Sequence, residues 1–171
     1  MWKKIGLIYN SENKWGWDYS HAAPPVVDVY DNFWRIYFSS RDIKNISRTS
    51  FIDVEVNNPK KIIFENKKPI IDLGKLGSFD ELGISPTSIL TKKNGEKILY
   101  YIGRSVKKTV SFDNFIGAAI STDGGASFSK IKGPILGKDQ EDPYFTASFY
   151  VFETLGATRT LLESYVFFKV V

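Results

Sequence analysis

Three kinds of residue in this 171-residue chain have chemistry to offer beyond folding. Arginines come first. Arg41 and Arg48 bracket Asp42 in FSSRDIKNISRTS, and Arg104 stands at the matching point of a second stretch, KILYYIGRS. A guanidinium meets a carboxylate or phosphate through two parallel hydrogen bonds, so arginines gathered at one mouth suit an anionic ligand. The competing role is an ion pair with Asp42. His21, the single histidine, lies in SHAAPP. It can bond a ligand hydroxyl or phosphate, or serve as a loop histidine tied to backbone. Trp15 and Trp17 can stack on a sugar face or pack into a core or lid. With one histidine and no cysteine there is no ligand set with metal spacing, and no cofactor is expected. Nor is there a Gly-rich phosphate loop, a Ser-His-Asp set or a dinucleotide fingerprint.

Positioning these residues falls to a repeated pattern. Pro25 opens PPVVDVYDNFWRIYFSSRD, which reads as strand, tight turn and strand; Pro86 opens SPTSILTKKNGEKILYYIGRS with the same grammar. A third copy begins at Glu141–Ser148, EDPYFTAS. The first two copies lie about sixty residues apart, and self-similarity at periods of roughly 40–50 residues or more, each unit a few strands long, marks a propeller or related blade array. In the first unit strands are expected over 25–30, 33–39, 49–56 and 61–64, with Asp31-Asn32 as a turn. Trp34, Ile36 and Phe38 alternate with Arg35 and Tyr37, the mark of a half-buried strand. The second unit has a hairpin, 88–91 and 97–102, around Asn94-Gly95, a dipeptide that tolerates positive φ. A strand over 115–121 then ends in STDGGASF. In that string the Asp carboxylate accepts turn amides, glycine supplies unusual backbone angles and Phe128 plugs the core below, a pattern found in the hairpins of many propellers. No helix is expected before residue 153.

The fold class is therefore all-β: an incomplete β-propeller of the five-bladed type with antiparallel blades. Blade one covers about 22–66, blade two about 80–132, and the start of blade three about 140–152. Residues 1–24 are a lead-in. Residues 153–171 diverge from the repeat and end in an apolar run. They are read as the product of a truncated or frameshifted gene, with a closing terminal strand as the alternative.

Composition limits the functional classes. Aromatics at 15% suit pleated sheets, and 43% hydrophobic residues argue against disorder. The absence of cysteine fits a reducing compartment. The only early apolar run is too short for a signal peptide or a membrane span, so a cytoplasmic protein with no membrane partner is expected. The formal charge is +4, but the lysines fall in pairs beside turns. That suits solubility and edge protection better than a nucleic-acid groove, which needs basic residues on one face with aromatics between them.

The strings SHAAPPVVDVYDNFWRIYFSSRD, GSFDELGISPTSIL, KILYYIG, IGAAISTDGGASF and EDPYFTAS resemble the five-bladed β-propeller glycosidases and glycoside phosphorylases. That group includes arabinanases, β-xylosidases, fructosidases and mannoside phosphorylases. The resemblance implies a carbohydrate substrate and cleavage by a carboxyl acid and a carboxylate base or nucleophile. Carried over by position, Glu141 is the proton donor, with Asp142 beside it, and Asp80 holds an acid's pKa up or binds sugar hydroxyls. A base from the first blade has no clear bearer. Asp28 reads as a solvated or edge carboxylate, and Asp18 lies before the strand. Asp80 equally suits a turn carboxylate bonded to its own backbone, and Glu141-Asp142-Pro143 an ordinary Asp-Pro turn. His21, Arg41, Asp42, Arg48, Arg104 and Trp17 are the substrate-binding candidates. The expected function is that of a glycoside hydrolase-like protein, weakly active or inactive as this chain alone. The alternatives are a glycoside phosphorylase and a non-catalytic carbohydrate-binding or assembly module that self-associates through open sheet edges.

Overall fold

A computed structural model describes residues 1, 3–141, 143–147, 149–154 and 157–162. Ten strands and no helix make up the regular structure of these residues. β1 (Val26–Val29), β2 (Phe33–Arg41), β3 (Ser47–Glu55) and β4 (Asn58–Glu65) form one four-stranded antiparallel sheet in chain order. β5 (Ile84–Thr91), β6 (Lys97–Ser105), β7 (Asp113–Ser121) and β8 (Ser129–Lys130) form a second with the same order. β9 (Phe149–Thr154) and β10 (Ala157–Leu162) are an antiparallel pair. β1 lies against β5 and β5 against β9, so the first strands of successive units crowd together while β4 and β8 lie at the far edges of their sheets. This is blade packing, and the all-β, incomplete-propeller expectation holds.

Two differences from the expected strands have local causes. β5 starts at Ile84 rather than at residue 88, because a register shift between Pro86 and Ser88 lets the strand pass its proline without breaking the pairing with β6. β7 starts at Asp113, two residues ahead of the aromatic run, so that Asp113 and Asn114 lie on the ladder opposite Ser105 and Arg104. Part of the segment read as divergent, 157–162, pairs with β9 as a hairpin.

Apolar side chains fill the seams between blades. Tyr37 and Phe51 of the first blade meet Leu99, Tyr101, Ala119 and Phe128 of the second, with Ile70 and Ile71 of the connecting loop between them. The Tyr37 ring stands edge-on to both Phe51 and Phe128, each at 5.8 Å. Ile116 of the second blade packs on Phe149 and Val151 of the third unit. Trp17 of the lead-in covers the opposite face of the first blade with Phe38, Ile52 and Val54.

Buried ion pairs lock the end of the blades where β2 and β6 begin. Lys97 Nζ lies 2.6 Å from Asp28 Oδ2, both side chains under 10% exposed, which ties the first strand of blade one to blade two. Asp28 is thus a buried cross-blade anchor and not the solvated carboxylate its sequence context suggests. Arg35 meets Asp53 through Nε and Nη2 at 2.7 and 2.9 Å. The β7–β8 turn completes this end. Asp123 Oδ1 accepts the Ala126 and Ser127 amides at 3.0 Å each, and both its oxygens accept serine hydroxyls at 2.6 Å, from Ser121 and Ser127. Gly125, at φ +82°, brings its backbone so close to Tyr37 that a Cβ would lie 2.1 Å from the phenol oxygen.

Candidate functional site at the opposite mouth

The other end of the blades holds the start of β5, the ends of β2 and β6, the starts of β3 and β7, and the approach to β9. It is built from equivalent positions. The Arg41 amide donates to Ser20 O at 2.8 Å, and the Arg104 amide donates to Gly83 O at 2.9 Å. The return bonds run from Ser20 and Leu82 to the Arg41 and Arg104 carbonyls, each at 3.0 Å. Each arginine therefore lies at the end of the second strand of its blade, Arg41 as its last residue and Arg104 as its last but one, opposite the segment that leads into the first.

Arg41 and Arg104 line one cavity of about 470 Å³ together with Lys44, Ile46, Leu82 and Phe112. Among the described residues neither guanidinium has a carboxylate within ion-pair distance. Arg41 Nη1 donates to Asn45 Oδ1 at 2.9 Å. Arg104 lies over the Phe112 ring, 5.3 Å from its centre, and its Nε is buried without a hydrogen-bond partner among the described residues. Burial, and then the charge of Arg41, push Arg104 below its ordinary pKa.

Phe112 also borders a second, adjoining cavity of about 630 Å³ with Val110, Asp113, Lys138, Pro143 and Tyr144. Asp113 is 2% exposed and paired with Lys138 at 2.9 Å and Lys107 at 3.5 Å. The neighbouring Asn114 Oδ1 is buried with no donor among the described residues. Sequence reasoning missed Phe112, Asp113 and Asn114. The signal was in the repeat: Asn114 pairs with Arg104 and Ser47 with Arg41, at equivalent places of the two blades.

The other candidates fall as follows. Asp42 caps the β2–β3 turn by accepting the Lys44 and Ile46 amides at 2.9 and 3.0 Å, and Arg48 Nε approaches it at 3.4 Å. Arg48, not Arg41, is therefore the partner of Asp42. His21 sits beside Arg41 at φ +66°, in the left-handed region unusual for a residue with a Cβ. The Ser11 and Ser40 hydroxyls both donate to its carbonyl, the latter at 2.7 Å, while its exposed ring meets Ser20 Oγ at 2.9 Å. Glu141 is exposed at the approach to β9, its amide donating to Asp139 Oδ1 at 2.9 Å. Asp142 lies outside the described residues.

Asp80 is 2% exposed in the seam between blades one and two. It accepts Tyr101 Oη at 3.0 Å and Ser78 Oγ at 3.0 Å, and pairs with Lys130 of β8 at 2.7 Å. The carboxylate's bonding capacity is taken up there. Trp17, a substrate-binding candidate, instead packs its ring at 7% exposure and donates Nε1 to Lys67 O at 3.1 Å. Asp18, fully buried, accepts the Lys14 and Trp15 amides and closes the turn before it. Among the described residues no group of three or more His, Asp or Glu could hold a metal ion, and no helix is long and apolar enough to cross a membrane.

No family model matches the chain. Uncharacterized proteins from two strains of Mycobacterium tuberculosis are each 34% identical to it over 160 residues, 92% of this chain and 53% of theirs. The chain thus spans about half the length of the curated relatives it matches. Among solved structures, a family 117 glycoside hydrolase produced by the marine bacterium Zobellia galactanivorans superposes with a TM-score of 0.64 at 19% identity, over 90% of this chain and 42% of that one. A thermostable family-43 glycoside hydrolase superposes more loosely, with a TM-score of 0.41 at 15% identity over 80% of this chain and 63% of that one. The fold is an incomplete β-propeller, shared with that family 117 structure.

Proposed function

We propose that the mouth is a carbohydrate site and that the chain is part of a glycoside-cleaving propeller. The observation that carries this reading is the pair of adjoining cavities at one end of the blades. They are lined by aromatic rings and by polar groups from equivalent positions of successive blades. Pockets of this size with a few convergent polar groups hold small ligands. Aromatic side chains in such a lining suit the C–H faces of a sugar. Glu141, exposed at this rim, is the proposed proton donor, with Asp142 beside it in sequence. Asp80 acts through the seam, by holding Lys130 and Tyr101 where they are. His21, fixed by two hydroxyls on its carbonyl, reaches for a sugar hydroxyl.

A second reading, a binding module without catalysis, is favoured by one specific observation. Asp113 and Asp42 at the mouth are already engaged with cations or turn amides, so neither is free to pair with Glu141 in two-carboxyl chemistry.

One experiment separates these readings. Reducing-sugar release and aryl-glycoside turnover are measured alongside saccharide binding, for the wild-type chain and Glu141→Gln. Binding with slow turnover that Glu141→Gln abolishes supports the enzyme reading. Binding with no turnover supports the module. If no saccharide binds at all, the carbohydrate reading is wrong.

A further inference from the structure

Resting on that reading of the mouth, we propose that the cavity between blades one and two is a subsite for an acidic sugar. Its carboxylate or phosphate group would lie between the guanidinium groups of Arg41 and Arg104, with its ring against Phe112.

Three observations meet here. The first is charge. Two arginines from different blades line one cavity, with Lys44 beside them and no carboxylate within ion-pair distance among the described residues. Elsewhere in this fold partly buried cations have partners: Lys97 has Asp28, Arg35 has Asp53 and Lys130 has Asp80. Like charges brought together away from water raise the free energy unless an anion joins them. The second is the orphaned donor. Arg104 Nε is buried and unpaired among the described residues, whereas buried polar groups are nearly always bonded. An oxyanion is the acceptor that a guanidinium edge fits. The depression of Arg104's pKa by burial and by Arg41 agrees with a site built for an incoming negative charge.

The third is size. A cavity of about 470 Å³ far exceeds the need of an inorganic oxyanion, given that one water occupies about 30 Å³. Ile46, Leu82 and Phe112 add apolar surface that an ion alone would not use. A lining that combines guanidinium groups with apolar side chains describes a sugar ring bearing an acidic group.

The test is calorimetric titration of the whole chain with galacturonate, glucose 6-phosphate, galactose and inorganic phosphate. Either acidic sugar is expected to bind at least about 10-fold tighter than galactose, and the tighter of the two tells whether the group is a carboxylate or a phosphate. Arg41→Gln and Arg104→Gln should each weaken the acidic sugar roughly 10- to 100-fold while leaving galactose unchanged. Added salt should weaken the acidic sugar alone. Should Arg104→Gln fail to fold, Arg41→Gln decides, because among the described residues that side chain's hydrogen bond is an exposed one to Asn45. Equal affinity for acidic and neutral sugars, or indifference to both arginine substitutions, overturns the proposal. So does inorganic phosphate binding as tightly as either acidic sugar. The first of these leaves the carbohydrate reading of the mouth standing; failure of every sugar to bind removes both.

Discussion

The two ends of the blades differ in how completely their charges are matched: at the mouth Asp113 and Asp42 have cationic partners, but two arginines lack anionic ones among the described residues. Where β2 and β6 begin, Asp28 is matched by Lys97 and Asp53 by Arg35, and Asp123 is wrapped by two amides and two hydroxyls. At the other end Arg41 and Arg104 share a cavity without a counter-charge among the described residues, and Asn114 Oδ1 has no donor there. A satisfied polar group stabilises a fold, and an unsatisfied one is tolerated only where something else fills the need. The contrast therefore separates the end that holds the blades together from the end that is left available to a ligand.

The heaviest blow to this comparison would come at the Asp28–Lys97 pair. Asp28→Ala leaves a buried ammonium group unpaired and is expected to cost about 3–5 kcal/mol in urea unfolding. Replacing both partners, as in Asp28→Ala with Lys97→Met, should recover much of that loss, since the desolvation penalty goes with the charge. A loss below about 1 kcal/mol for the single substitution would mean that water already reaches this end.

Next in size is Gly125→Ala. It places a Cβ at φ +82° and 2.1 Å from the Tyr37 phenol oxygen, in a ring fixed by Phe51 and Phe128. About 2 kcal/mol or more is expected, from the left-handed backbone and the clash together. Adding Tyr37→Phe removes the clashing atom, together with its bond to Gly125 O at 3.0 Å. If the backbone angle were the whole cost, this second substitution would restore nothing.

Asp123 sharpens the comparison through pH. Burial works against its charged form, but the Ser121 and Ser127 hydroxyls and the Ser127 and Ala126 amides bring its pKa down to about 2. The folded value lies below the unfolded one. Its contribution is therefore complete above the usual carboxyl pKa near 3.8 and is lost as pH falls toward 2. Asp123→Asn should lower stability at neutral pH and flatten the acid limb of the stability curve between those values. An unchanged acid limb would show that the turn does not need its carboxylate.

What could be read from the sequence follows the distance between partners. The Asp123 turn was legible because its partners lie within four residues. The blade pattern is legible because it repeats, and the same repeat matches Arg104 to Arg41. Asp28 was misread because its partner lies 69 residues away, across a blade seam. Asp80 has the same character, its donors Tyr101 and Lys130 being 21 and 50 residues distant. Trp17 looked available for stacking because nothing nearby in sequence showed that Phe38 and Val54 would receive it. Asp113 and Asn114 were passed over because an apolar run marks a strand's middle better than its polar start.

The smallest expected effect is the most discriminating. Arg41→Gln removes a full charge from a partly buried arginine, a change that at the other end of the blade would break an ion pair. Here it removes a bond to Asn45 and relieves repulsion with Arg104. Unfolding free energy should stay within about 0.5 kcal/mol of wild type, the usual range for a surface substitution away from such networks. A loss of roughly 2 kcal/mol or more would assign Arg41 to the architecture, because a side chain that stabilises the empty protein that strongly is not waiting for an anion.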